Sequence, residues 1–355
     1  MKKIVFCLIS VAMTGFTSCD KEAKKEPSLP FGLPGAYIVD MAIDNNNMLY
    51  FVTGEIDREA LKNWPSVMSY YPTISYLSRK SEESGKIEIL DDRYLSTGKI
   101  CFDKNNHFLT YDDKSIYKID GGIHHKIFEL PDINPYQRSL SFIAVDNDNN
   151  IWAGGLETGL YKIDDTRLNV THYHEYNSEL PTNNVRDIHI DKDNNIWIVT
   201  GWLSDNQWIL KISNEGQWTV YKDITSQNIL CLVTDKNGHL WIGTGWDNEN
   251  QSLMRFDGTG WETVTPRNDK NETVEGIVRY LQSDGRKLYV VIAKGKDLID
   301  YYSYSHELLT FDGDKWNKKY EIPEDDWIGN LFVDNYRKVL WVWTLSKGLF
   351  FKIPF

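Results

Sequence analysis

One pattern recurs along the chain: an apolar run, an Asp, a polar turn, then a Leu or Ile followed by an aromatic residue. Its clearest copy is Val233-Thr234-Asp235-Lys236-Asn237-Gly238-His239-Leu240-Trp241-Ile242-Gly243-Thr244. Aligned on the turn Asp, seven copies stand at Asp44, Asp103, Asp146, Asp191, Asp235, Asp284 and Asp334, spaced 43 to 59 residues apart. That period matches a four-stranded propeller blade, a unit that cannot bury both its faces without neighbours. With 13 Trp, 20 Tyr and many β-branched runs, the composition agrees with an all-β chain. The spacing predicts a seven-bladed β-propeller of four-stranded antiparallel blades over residues 31–355. In each blade the Asp sits in the turn between strands A and B, and Trp152, Trp197, Trp241 and Trp341 of strand B pack blade against blade.

After its third strand the last copy stops at Phe355, one strand short. An extended segment around residues 28–33 can supply that strand and remove the open edge, although Pro30 and Pro34 suit only an edge position. Ahead of it, Lys2 and Lys3, the apolar run from Ile4 to Phe16 and the junction Thr17-Ser18-Cys19 read as a signal peptide over residues 1–18. The junction resembles the lipobox of bacterial lipoproteins, with Phe16 where Leu is usual. The resemblance implies lipidation of Cys19, a flexible charged tether over 19–30, and a chain anchored to the outer membrane on its periplasmic or outer side. The segment from Asp20 to Pro27 is too polar to bury anything.

The formal charge of −12 opposes nucleic-acid binding, which needs a basic surface. Cys101 and Cys231, the two cysteines of the folded part, lie in apolar strand runs three repeats apart, too far for a disulfide. No Cys/His metal spacing is present. The Asp/Asn-rich turns lack the Gly and downstream Glu of a calcium loop and read as turn chemistry, so neither metal nor cofactor is expected.

Gly238-His239-Leu240-Trp241-Ile242-Gly243-Thr244, Ile151-Trp152-Ala153-Gly154-Gly155 with Gly159-Leu160-Tyr161, and Leu180-Pro181-Thr182-Asn183-Asn184-Val185 resemble the two-component-regulator propeller repeat. In that family such repeats build periplasmic propellers, often seven-bladed, that serve as sensor regions of hybrid histidine kinases, many responding to oligosaccharides. This chain departs from the sensors in having neither a transmembrane helix nor a kinase. It looks like a free-standing lipoprotein that uses the same fold.

In a propeller, the B–C and D–A connections share one face and the A–B and C–D turns the other. The A–B turns are short and uniform, the B–C connections long and irregular, and insertions gathered on one face mark it as functional. They carry Trp64, Tyr71, Trp202, Trp246 and Tyr302 among carboxylates and amides, a mixture suited to stacking on sugars or docking a protein. Four and five residues before the turn Asp, at the upper end of the inner strand, stand Asp40, Lys99, Arg186, Asp187, Arg279 and Asn330, with Arg138 and Asn184 near the same rim. Charges gathered there suit an anionic sugar or a carboxylate, and suit equally a solvated channel of paired ions.

The expectation is therefore a non-catalytic envelope lipoprotein, monomeric or part of a complex, that binds a glycan or a protein. Alternatives are a polysaccharide lyase or glycoside hydrolase, with Asp40 and Asp187 as acid and base and Arg186 beside a developing anion, or a pure interaction scaffold. No nucleophile motif or His pair singles out catalytic residues.

Overall fold

The computed structural model describes residues 33, 35, 37–56, 73–80, 86–91, 100–120, 123–131, 139–164, 166, 167, 169–201, 207–222, 228–245, 253–294, 305–322, 328–344 and 350–354. Its strands form seven antiparallel sheets in chain order, six of four strands and a last of three among the described residues. The innermost strands A are Tyr37–Ile43, Cys101–Phe102, Ser139–Val145, Val185–Ile190, Ile229–Thr234, Ile277–Ser283 and Ile328–Asp334. Each lies against the inner strands of both neighbours, so the blades close into a ring. The chain is the predicted seven-bladed propeller. The segment around 28–33 expected to complete blade 7, the signal peptide and the tether lie outside the described residues, except Leu33.

Among the described residues each seam has its own apolar cluster, with a small second one between blades 5 and 6, instead of a single core. Strand B shows why: in blade 4, Ile196–Thr200 is buried throughout. Ile196 and Ile198 face blade 3, while Trp197 and Val199 face blade 5. A strand sandwiched between two blades needs apolar residues at every position, and each such side chain stabilises its seam by about 1.5–3 kcal/mol. The ring closes in the same manner, with Ile38, Met41, Leu49 and Phe51 of blade 1 and Leu33 packed on Val339, Trp341 and Trp343 of blade 7.

The turn Asp and the strand B Trp form a bonded unit. In blade 3, Asp146 Oδ1 accepts the amides of Asp148 (2.9 Å) and Asn150 (2.8 Å), and Oδ2 accepts Trp152 Nε1 (2.8 Å). The indole bond recurs at Trp197–Asp191 (2.9 Å), Trp241–Asp235 (3.0 Å) and Trp341–Asp334 (3.1 Å), with Tyr289 donating to Asp284 in blade 6 (3.0 Å). On strand C a basic residue opposite each Trp covers its ring: Lys162, Lys211, Arg255 and Lys352, 5.0–5.9 Å from the centroids. The motif thus satisfies a buried indole N–H and adds a cation–π contact of about 0.5–1 kcal/mol per blade.

Blade 2 has Leu109 where the others carry an aromatic. Its Asp103 Oδ2 takes His107 Nδ1 (2.9 Å) and Arg167 Nη2 (3.0 Å), the latter from blade 3. Burial pushes the Asp103 carboxyl up, but the amide and ring of His107 and the Arg167 guanidinium outweigh it and hold the pKa below the usual value.

The turns are also linked to one another. Asn106 Oδ1 accepts the Asn45 amide (2.7 Å), Asn149 Oδ1 that of Lys104 (2.8 Å) and Asn194 Oδ1 that of Asn147 (2.7 Å). These asparagines sit at φ of 63–66°, a left-handed conformation that Asn tolerates. Between blades 7 and 1, Arg337 joins Asp334 (2.9 Å) to the Asn47 carbonyl (2.6 Å).

Candidate ligand-binding face

The opposite face is built on a repeated irregularity of the inner strand. In six blades strand A carries one extra residue opposite strand B, so its register shifts at Val39, Ser141, Arg186, Leu230, Arg279 and Gly329. These are the positions five before the turn Asp. A bulge bends its strand and re-aims side chains. It brings Arg186 and Arg279, each half-buried, to the upper end of the inner ring. The following position, four before the Asp, holds Asp40, Asp187, Tyr280 and Asn330.

Several of these side chains secure the ring. Asp40 Oδ2 accepts the Ile100 amide of blade 2 (2.8 Å), capping the inner strand shortened there to Cys101–Phe102. Asp187 Oδ1 accepts the Ile188 amide (2.9 Å), and Asn330 Oδ1 that of Leu331 (2.8 Å). Asp40 belongs to the inner strand of blade 1 and Asp187 to that of blade 4. Asp187 and Arg279 do share a neighbour in Cys231, whose thiol is pushed up by burial and by Asp187 and drawn back by Arg279. The Cys101 thiol is pushed up to about 12, chiefly by burial. Both cysteines are free.

The rim is tied at Asn184 and Asn228, the residues immediately before strands A of blades 4 and 5. The Asn184 carbonyl accepts the Gly201 amide (2.9 Å) and the Asn228 carbonyl that of Gly245 (3.0 Å), anchoring the end of each strand B. Asn184 Oδ1 takes the Glu157 amide of blade 3 (3.0 Å), and Asn228 Oδ1 takes Arg186 Nη1 (3.3 Å). Burial lowers the Arg186 pKa, and Asp187 offsets this only in part. Beside them Gln207, 5% exposed, accepts the Ile229 amide through Oε1 (2.6 Å), while its Nε2 has no hydrogen-bond partner. Sequence reasoning passed over Gln207, and only its place at the start of strand C, facing blade 5, gives it meaning.

Lower in the same seam, His189 Nε2 accepts the Thr234 amide (3.1 Å) and lies 2.8 Å from Thr234 Oγ1. Burial lowers its pKa against the pull of Asp187 and Asp191.

Of the predicted site residues, Asp40, Arg186, Asp187, Arg279 and Asn330 fall at the mouth. Trp64, Tyr71, Trp202, Trp246, Tyr302, Lys99, Arg138 and Cys19 lie outside the described residues. Among the described residues, no group of three or more His, Cys, Asp and Glu is placed to hold a metal ion, and no helix is long and apolar enough to cross a membrane.

Residues 179–202 and 223–246 match the two-component regulator propeller repeat. Each stretch covers the approach to an inner strand, that strand, and strand B, in blades 4 and 5. The match includes Asn184 and Asn228, the turn Asp and the indole that it binds. No curated protein matches the sequence.

Among solved structures, the chain shares its fold with the extracellular domain of BT4673 from B. thetaiotaomicron, described as a one-component or hybrid two-component system. The TM-score is 0.56 at 14% identity, covering 90% of this chain and 39% of that one. It is also similar to YCF48 from Cyanidioschyzon merolae, with a TM-score of 0.57 at 10% identity covering 90% and 95% of the two chains. Puromycin hydrolase gives 0.61 at 12% identity, covering 90% and 53%. At these identities the likeness is one of fold. The chain spans about two fifths of the length of the BT4673 domain.

Proposed function

We propose that this chain is a non-catalytic binding module of the bacterial cell envelope, lipid-anchored through Cys19, that takes an oligosaccharide on the face bearing the B–C connections. The observation that carries the reading is the contrast between the two faces. On the A–B face the recurring polar groups serve the fold: the Asp carboxylates bind indoles and amides, and asparagines and Arg337 bridge the turns. The other face gathers Arg186, Asp187, Arg279 and Asn330 at inner-strand bulges, and four long connections rich in aromatic and amide residues leave from it. Guanidinium, carboxylate and amide groups, with aromatic residues in the sequence of the connections, form the chemistry that recognises sugar hydroxyls and ring faces. Asp40 and Asp187, the carboxylates a hydrolase would need, each hold a backbone amide.

The test is a glycan array probed with the full chain, followed by calorimetry on the glycans it selects. Binding that is lost in Arg186→Gln or Arg279→Gln and kept in Lys192→Gln, on the A–B face, supports the reading. An array without binders, together with capture of one defined protein, would replace it by a protein-interaction scaffold. Depolymerised product would replace it by an enzyme. The anchor is tested separately by metabolic labelling with a fatty-acid analogue, which should mark the wild type and not Cys19→Ser.

A further inference from the structure

The sheet of blade 7 has a place for one more strand. In the other six blades strand C is paired on both sides, whereas Phe350–Pro354 is paired only with Val339–Thr344 among the described residues. Such an edge presents a row of N–H and C=O groups to whatever strand can reach it. Leu33 indicates which segment does. It is buried in the cluster between blades 7 and 1, with Ile38, Trp341 and Trp343. Three other seams hold a residue of this kind: Leu130 between blades 2 and 3, Leu180 between 3 and 4, and Val274 between 5 and 6. Each belongs to the connection that leaves strand D of one blade for strand A of the next. Gly35 repeats the pattern. It has a φ of 87°, and a Cβ there would lie 3.0 Å from the Gly54 carbonyl oxygen. Gly276, in the connection from blade 5 to blade 6, has a φ of 146°, and its Cβ would lie 2.4 Å from the Ala293 carbonyl oxygen. Gly54 and Ala293 are the strand B partners of Tyr37 and Ile277, with which the two strands A begin. The chain thus enters blade 1 as it enters blade 6, by a route fed from a strand D.

We infer that residues 28–32 fill the free edge of blade 7 as its strand D, so that the tether leaves from the A–B face and the anchored chain turns its mouth away from the membrane. The second half rests on the lipid anchor proposed above. Phe350–Pro354 offers five positions, and it runs down to the A–B face, where Pro354 pairs with Val339 beside the turn. An antiparallel partner therefore runs up to the B–C face, where Leu33 and strand A of blade 1 follow. Pro30 fits with its nitrogen turned away from strand C, which points the N–H groups of Leu29 and Phe31 toward it. Residue 28 then stands at the A–B face, and residues 19–27 reach at most about 30 Å from it. Left unpaired, the same segment would leave from the B–C face at Leu33 and draw the mouth to the bilayer.

The strand is tested by amide hydrogen exchange on the full chain. Leu29, Phe31 and residues 350–353 should be protected. Phe31→Pro, which removes an inward N–H, should abolish the protection at 29–31 and reduce it at 350–353, while Ser28→Pro, at an outward position, should leave it unchanged. Free exchange at 29–31 in the wild type, or equal effects of the two prolines, overturns the strand. The orientation is tested with the lipidated chain in phosphatidylcholine vesicles that contain a headgroup nitroxide lipid. A maleimide fluorophore is placed at Lys236→Cys, on an A–B turn, or at Tyr176→Cys, exposed in the connection from blade 3 to blade 4 on the opposite face; the thiols of Cys101 and Cys231 are buried. The nitroxide should quench the label at 236 and spare the one at 176, and the reverse overturns the orientation. If fatty-acid labelling misses Cys19 while the exchange pattern holds, the anchor and the orientation fall and the closed blade stands.

Discussion

The bond between turn Asp and strand B indole makes a sharp prediction at Asp146. Its carboxylate is 3% exposed and faces only donors: the amides of Asp148 and Asn150, Asn150 Nδ2 and Trp152 Nε1. Truncation to Ala leaves the Asn150 amide, its side-chain nitrogen and the indole N–H without partners. Each such buried donor costs about 1–3 kcal/mol, with some relief from water at the turn surface, so Asp146→Ala should lose about 4 kcal/mol. That is a large share of the roughly 5–15 kcal/mol that holds a folded domain. Asp146→Asn is nearly isosteric, yet its N–H₂ must face another donor, and it should lose about 3 kcal/mol. Urea unfolding followed by Trp fluorescence and circular dichroism measures both, with coincident transitions as the condition for quoting a free energy. Asp312 is the control: its carboxylate serves only the amides of an exposed turn, and Asp312→Ala should hardly move the midpoint. If both Asp146 variants stay within about 1 kcal/mol of wild type, or Asn restores most of the stability, the bond is incidental to the fold.

Three further substitutions probe other parts of the ring. A Cβ at Gly243 would lie 2.5 Å from Val278 Cγ1 and 2.6 Å from Cys231 Sγ, so Gly243→Ala should overpack the seam of blades 5 and 6 and lower stability by about 1–3 kcal/mol in urea unfolding. Asn149 combines a φ of 66° with the bridge to Lys104, so Asn149→Gly should lose about 1 kcal/mol through the bridge alone. Asn149→Ala should lose about 1–2 kcal/mol more through its backbone, and a Gly variant less stable than Ala would refute that division. His189 is held neutral by burial, below its ordinary value of 6.5. On acidification the unfolded chain therefore takes up the proton first, so this part of the stability is lost as pH falls from about 6.5 toward the lower folded pKa. His189→Gln, which can still accept the Thr234 amide, should show a shallower fall in urea midpoint between pH 7.5 and 5, and an unchanged slope would exclude His189 as its source.

The architecture was legible because the turn Asp accepts the amides of its own turn in each blade and so keeps its identity, and in every blade but the second the aromatic residue two strand positions beyond the turn is bound to it. The basic residue of strand C had an equally regular signal, as in Tyr161-Lys162-Ile163 and Leu210-Lys211-Ile212, but its reason became visible only in the cross-strand register that lays it over the indole. Asn47, Asn106, Asn149 and Asn194 stand three places after their Asp, yet nothing within one turn reveals that three of them reach the neighbouring turn. The bulge left no trace in sequence, because Val39, Ser141, Arg186, Leu230, Arg279 and Gly329 share a place and no chemistry. The charged positions at the mouth were found by counting back from the Asp. Gln207 was not, because its significance lies in a bond to the neighbouring blade and in the nitrogen which that bond leaves over.

The claim that recognition belongs to the mouth and not to the ring of turns can be measured directly by amide hydrogen exchange with and without the tightest oligosaccharide from the array. Added protection should gather at residues 184–187, 228–231 and 277–280, where the inner strands of blades 4, 5 and 6 begin, with little change at the turns 44–47, 146–149 and 191–194. Protection confined to those turns, or spread along the outer strands, would contradict the account.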